Sequence, residues 1–203
     1  MSYASRSKKS YNGFRTTDSD LARKNVSFLT SVKYLGFIFD ATGQHPDPEN
    51  IHAIQQIPSP KDVPSLRSFL ELISYYSAFL PSMNNVRPPL NHMLGKDVPW
   101  VWSDDCETAF CQLKSMLSSD LLLTHYKPRL PIVVAADASA KGIGAVIVHV
   151  FPDGTEKAIM HASRSLTATE QRYGKIEKEA LALVFAVRRF HKFIYGRRST
   201  LLT

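Results

Sequence analysis

Cysteine is scarce in this chain: Cys106 and Cys111 are the only two among 203 residues. They stand five apart in a helix-like stretch, which puts them on different faces. That spacing argues against a disulfide and against a cysteine metal site. The expectation is two free thiols, buried or half-buried, in a reducing compartment. No apolar run approaches the ~20 residues that a membrane span needs. The first ten residues, Met1 to Ser10, lack the apolar core of a signal peptide. Together these absences imply no membrane partner and an intracellular protein, cytoplasmic or nuclear. There is no internal repeat. Acidic residues are in the minority, 18 against 25 Lys and Arg, for a net charge of +7. Such a balance suits a partner that carries phosphates. The excess is uneven: from Glu156 to Arg198 there are ten Lys or Arg and four Glu.

What is present divides near residue 125. Residues 1–25 are polar, basic and without period, and read as a disordered or foreign leader. Phe28 to Asp40 is rich in aromatic and β-branched residues and predicts a strand pair ending near Thr42-Gly43. Asp47-Pro48-Glu49 opens a short helix, with a proline and an acid where a first turn favours them. Pro58 and Pro60 stop it. The next helix opens at Asp62-Val63-Pro64 and carries Leu66, Phe69, Leu70, Ile73 and Tyr76 on one stripe. A further short helix is expected over Asn84 to Leu94, and another from Ser103 that buries Phe110, Leu113 and Leu117. Three strand-like runs follow, Leu130 to Ala136, Gly144 to Val150 and Ala158 to Ser163. A long helix over about Thr167 to Phe193 and a last apolar run at 199–203 complete the pattern. The division predicts a helical module over residues 26–125 and a βββαβ module over 126–203.

Two carboxylates stand out. Asp137 ends an apolar run, Pro131 to Ala136, and a short turn with Gly142 leads into a second run. A strand of this kind delivers one carboxylate to the edge of a sheet, where a divalent cation is the usual partner. An Asp that merely caps its own turn is the ordinary alternative. On the long helix, Tyr173, Ile176, Ala180, Leu183, Val187, Phe190 and Ile194 step by threes and fours and predict the buried stripe. Glu179 falls about 60° from its centre, closer than any other acid of that helix. A flanking Glu paired with a nearby Arg would look the same.

The order of short motifs resembles the polymerase polyprotein of gypsy-type LTR retrotransposons, from the end of the reverse-transcriptase palm into ribonuclease H. Tyr34-Leu35-Gly36 resembles the "YLG" primer grip, and Asp47-Pro48-Glu49-Asn50-Ile51 the family's "dPeKi" helix start. Ser68 to Pro81 resembles "sFLGlxnYYrrFIp", and Pro89-Leu90 with Leu94 resembles "PLxxLl". Trp102, Ala109-Phe110 and Leu113-Lys114 match "W…aFxxLK". Asp137-Ala138-Ser139, Gly142 to Val146, Ala162 to Leu166, and Tyr173 with Glu177 to Ala182 match the ribonuclease H half.

The resemblance implies an α+β or α/β fold: a small helical, thumb-like module, then a ribonuclease H-like βββαβ domain truncated at its C-terminus. It implies that Asp137 and Glu179 are catalytic residues and metal ligands for Mg²⁺. The partners implied are an RNA–DNA hybrid or duplex and the remainder of the polymerase polyprotein. Tyr34, Leu35, Gly36, Arg67, Arg188, Arg189 and Lys192 are the expected nucleic-acid contacts, with Lys61, Arg87, Arg197 and Arg198 beside them. The departures are equally specific. Nothing in residues 1–27 resembles the polymerase carboxylates, Glu71 replaces a glycine, Phe37 replaces a histidine, and His149 replaces a glutamine. The family's third and fourth ribonuclease H acids have no counterpart up to Thr203. The expectation is therefore a fragment inactive by itself. A non-catalytic nucleic-acid-binding or scaffold protein derived from a retroelement is the alternative.

Overall fold

The computed structural model describes residues 29–81, 83–118 and 121–203. Residues 1–28, with the expected leader and Phe28, lie outside the described residues. The first module begins with an antiparallel meander, β1 (Ser31–Tyr34), β2 (Phe37–Asp40) and β3 (Gln44–Pro46). Leu35 and Gly36 alone join β1 to β2, with φ of 48° and 74°. A two-residue hairpin with both φ values positive matches the right-handed twist of its strands. At the next corner, Asp40 Oδ1 accepts from the amides of Thr42 and Gly43. The predicted strand pair thus extends to a third strand.

Five helices follow, α1 (Pro48–Gln55), α2 (Val63–Tyr75), α3 (Met83–Val86), α4 (Pro88–His92) and α5 (Asp104–Met116). Asp47, Asp62 and Ser103 cap α1, α2 and α5 through their side chains, where the sequence signals put the helix starts. The single helix expected over Asn84 to Leu94 is two, because Pro88 and Pro89 have no amides to continue the helical hydrogen bonds, although Arg87 itself keeps helical dihedrals. Leu66, Phe69, Leu70, Ile73 and Tyr76 pack with Leu90, Cys106, Phe110 and Leu113 into one core. Cys106 is buried, but Cys111 is exposed, on the outer face of α5.

The second module is a four-stranded sheet of order β6-β5-β4-β7, formed by β4 (Ile132–Ala138), β5 (Gly142–Val150), β6 (Glu156–Ser165) and β7 (Thr200–Leu202). The first three strands are antiparallel, and β7 lies parallel to β4 at the sheet edge. Helices α6 (Lys175–Arg189) and α7 (His191–Ile194) precede β7. The helix predicted from Thr167 begins instead at Lys175, after a 3-10 turn at Glu170–Arg172. Gly174 is its cap residue, and Glu177 Oε2 accepts from the Gly174 amide at 2.7 Å.

The stripe that α6 buries also differs from the expected one. Ala182, Ala186 and Phe190 are fully buried against Ile132, Val134 and Ala136, whereas Ile176 is 85% exposed. Two alanines let the helix backbone approach the sheet closely, and a count of large apolar residues overlooks them. Helical geometry then puts Glu179 about 20° from the centre of the buried stripe. The other face of the sheet meets the first module: α3 and the 3-10 turn Ser77–Phe79 pack on β5 and β6. The sheet is therefore a middle layer between α6 and the helical module.

Candidate functional site

The C-terminal ends of β4 and β7 form one edge, and both predicted carboxylates are found there. The parallel register pairs Ala135 with Leu202, so Thr203 stands beside Ala136 on the α6 face. Thr203 Oγ1 donates to Glu179 Oε2 at 3.0 Å. Glu179 is thus held over the end of the sheet on the helix side. Asp137 is the next residue of β4, opposite Gly144 on β5. The pleat puts it on the face of Val133 and Ala135, away from α6, and its side chain is exposed. The two carboxylates share one end of the sheet and approach it from opposite faces. Among the described residues, no group of three or more His, Cys, Asp or Glu side chains is arranged to hold a metal ion. Two carboxylates suit one hard cation that keeps most of its waters; two adjacent dications need more negative charge than this.

Other acids are engaged elsewhere. Glu170 accepts from Arg164 Nη1 at 2.7 Å and Nη2 at 2.9 Å, and from the Thr167 amide at 2.8 Å. These bonds, the Arg164 guanidinium foremost, hold its pKa down to about 2. Asp153 Oδ1 accepts from the amide and hydroxyl of Thr155. That turn lies at the far end of the sheet, about 20 Å from Asp137 at ~3.3 Å per strand residue.

The turn after Asp137 is tied to the helical module. Ser139 Oγ lies 2.9 Å from Asn85 Oδ1 and accepts from the Gly142 amide at 2.9 Å. A Cβ on Gly142 would stand 3.2 Å from the Arg164 carbonyl and 3.4 Å from Asn84 Cβ, a fit that favours glycine. Next to this turn, a cavity of about 230 Å³ opens between α3 and the sheet, lined in part by Asn84, Asp137, Gly144, His161 and Ser163. Burial pushes the His161 imidazole toward its neutral form. Sequence reading missed Asn84, Asn85, His161 and Thr203. The serine of Asp137-Ala138-Ser139 is the only local signal, because the rest depends on packing between distant segments.

The predicted nucleic-acid contacts fall into two groups. Tyr34 and Leu35 are 63% and 66% exposed at the tip of the first hairpin. Phe37, just behind the tip, packs on the rings of Tyr75, Tyr76 and Phe79, and the Tyr75 hydroxyl donates to the Leu35 carbonyl. Gly36 fits closely as well: a Cβ there would meet Asn50 Nδ2 at 2.9 Å. This hairpin is thus braced by α2, on which Arg67 is exposed, with exposed Lys61 just before the helix. Arg87 is not available in the same way. It is half-buried, and its Nη1 donates to Ser74 Oγ at 2.9 Å. Arg188, Arg189 and Lys192 are exposed at the end of α6 and on α7, and the two arginines flank a shallow groove with Arg164 and Phe185. Arg197 leaves that cluster: its guanidinium lies over the Tyr126 ring and donates to the Tyr126 hydroxyl and the Leu130 carbonyl.

Residues 102–201 match the RNase H-like domain found in reverse transcriptase. The chain is 36% identical over 187 residues to the Retrovirus-related Pol polyprotein from transposon gypsy of Drosophila melanogaster, covering 86% of the chain and 18% of that protein. It is 31% identical over 176 residues to the corresponding polyprotein from transposon 412 of the same organism, with 87% and 14% covered. The chain therefore spans less than a fifth of the length of these relatives. Among solved structures, the foamy viral protease-reverse transcriptase in complex with dsDNA superposes with a TM-score of 0.75 at 24% identity, over 88% of the chain and 37% of that protein. The same viral protein in complex with an RNA/DNA hybrid gives 0.72 at 25% identity, over 85% and 23%.

Proposed function

We propose that this protein works within an enzyme that copies RNA into DNA and hydrolyses the RNA of the resulting hybrid; the match of residues 102–201 to the RNase H-like domain found in reverse transcriptase and the likeness to the gypsy Pol polyprotein support this reading. The observation that carries this reading is the placement of Asp137 and Glu179 at one end of the β4–β7 edge. The helical module and the exposed Arg188, Arg189 and Lys192 hold the duplex by its phosphates, without reading sequence. The hairpin at Tyr34-Leu35-Gly36 contacts the strand end. Asp137 and Glu179 are the residues that would hold Mg²⁺. A bound Mg²⁺ supplies activation of the attacking water and stabilisation of the leaving 3′ oxygen. Thr203 orients the Glu179 carboxylate, and the Ser139–Gly142 turn fixes the end of β4 that carries Asp137. With two carboxylates, the chain by itself does not complete the reaction, and the rest of the polyprotein is its partner.

Duplex affinity as a function of salt tests this reading. Fluorescence anisotropy with a labelled RNA–DNA hybrid should give weak, sequence-independent binding that falls steeply as salt rises. If Arg188, Arg189 and Lys192 each neutralise one phosphate, replacing all three by Ala lowers the slope of log K against log salt by about 2.7. An unchanged slope would mean that these residues form only a solvated face.

A further inference from the structure

The cavity beside Asp137 has a lining that phosphodiester cleavage does not require. Asn84 reaches it from α3 with 7% of its surface exposed, and its Nδ2 has no hydrogen-bond partner among the described residues. A buried amide N–H left unpaired is costly, so an acceptor is expected beside it. The side chains of Asp137, His161 and Ser163 also line the space, and none has a hydrogen-bond partner among the described residues. Gly144, opposite Asp137 in the β4–β5 register, opens the cavity: a Cβ there would meet nothing within 4 Å. Ala135 and Val146 give the neighbouring wall an apolar surface. The volume of about 230 Å³ exceeds the space of a few waters at about 30 Å³ each and falls below the roughly 300–1,000 Å³ of drug-sized sites.

A small planar molecule fits this description if one edge offers an acceptor to Asn84 and a donor to the carboxylate. The amino-bearing edges of adenine and cytosine do so, since asparagine donates to adenine ring nitrogen and carboxylates accept from cytosine N4. We propose that this cavity binds a single unpaired adenine or cytosine base, held by Asn84 Nδ2 and the Asp137 carboxylate against the Gly144 gap. The proposal rests on the nucleic-acid reading above only for the origin of the base. In uracil the order along that edge is reversed, the ring N3–H donating and the exocyclic oxygen accepting, so the base meets Asn84 and Asp137 only when turned over, which sends its ribose the other way.

The test is an NMR titration of the full chain, in metal-free buffer, with adenosine, cytidine and uridine. Adenosine or cytidine at millimolar concentration should shift the Asn84 side-chain amide and the backbone amides of Gly144 and Ser163. Uridine should bind at least about tenfold more weakly. Gly144→Val fills the gap with a residue that suits a strand, and it should abolish those shifts while the chain melts as before. Asn84→Leu, which removes the donor at similar size, should do the same. The proposal is overturned if no nucleoside shifts Asn84, if uridine binds equally, or if both variants bind as the parent does. Hybrid affinity measured on Gly144→Val separates the two readings. Lost nucleoside binding with retained hybrid binding supports the cavity. Nucleoside binding in a chain with no hybrid affinity leaves the cavity standing and removes only the duplex reading.

Discussion

Leu35 holds a backbone conformation that costs an L-residue about 1–2 kcal/mol, with φ of 48° at the tip of an exposed hairpin. Strain of this kind persists where a local shape is needed, and here it accompanies a tip whose Tyr34 and Leu35 side chains are exposed. Leu35→Asn should stabilise the chain by about 1 kcal/mol in chemical denaturation, since Asn tolerates this region. It should also weaken hybrid binding in the anisotropy experiment. Stabilisation with unchanged affinity would mean that the tip is not a contact. Gly36→Ala should cost about 1–3 kcal/mol, because it adds strain at φ of 74° and a close approach to Asn50. The Tyr34-Leu35-Gly36 motif was legible in sequence, but its bracing by Tyr75 and Phe37 was not, since those residues lie about 40 positions apart. His149 presents the reverse case. It reads as a departure from the family pattern. In the fold it is fully buried, accepting from the Lys127 amide at 2.8 Å through Nε2 and lying 3.1 Å from the Pro131 carbonyl through Nδ1. The imidazole closes the loop before β4. His149→Leu leaves the Lys127 amide unpaired, while the Pro131 carbonyl keeps its bond from the Val150 amide at 3.3 Å, and should lower stability by about 1–3 kcal/mol.

Among the elements, α6 shows what periodicity captures and what it misses. The sequence pattern identified a long amphipathic helix with Glu179 near its buried side. It mistook which side was buried, because Ala182 and Ala186 contribute closeness of approach rather than bulk. Ala182→Leu should therefore overpack the α6–β4 contact and cost about 1–3 kcal/mol, read as a lower denaturation midpoint. An unchanged midpoint would mean that the helix can move off the sheet freely. The 3-10 turn before α6 carries the Arg164–Glu170 pair, which a helical pattern from Thr167 does not reveal. The pKa of Glu170 is lowered from 4.5 to about 2 in the fold. Its contribution to stability is complete above the unfolded value and is lost as pH falls from about 4.5 toward 2. Acid titration followed by circular dichroism should show this loss in the parent chain, and Glu170→Gln should show a flatter profile over the same range. Identical profiles would show that the pair contributes nothing to folding.

At the scale of the whole molecule, one sheet separates α6 from the helical module, and its C-terminal edge gathers the groups that chemistry would use. The order of motifs made both modules legible, because each short motif matches an element whose caps and apolar stripe are local. The junction was not legible: Asn84 and Asn85 meet the turn after Asp137 only through packing between the modules. Nor could spacing show that the pleat brings Asp137 to the edge from the face opposite Glu179. The central claim is that these two carboxylates nevertheless form one weak cation site. Paramagnetic broadening by Mn²⁺, a substitute for Mg²⁺, tests it most directly. The claim predicts one site of millimolar affinity that broadens the NMR signals of Asp137, Glu179 and Thr203 together and is abolished by Asp137→Asn or Glu179→Gln. Two tight sites, or broadening at Asp137 that survives Glu179→Gln, would contradict it.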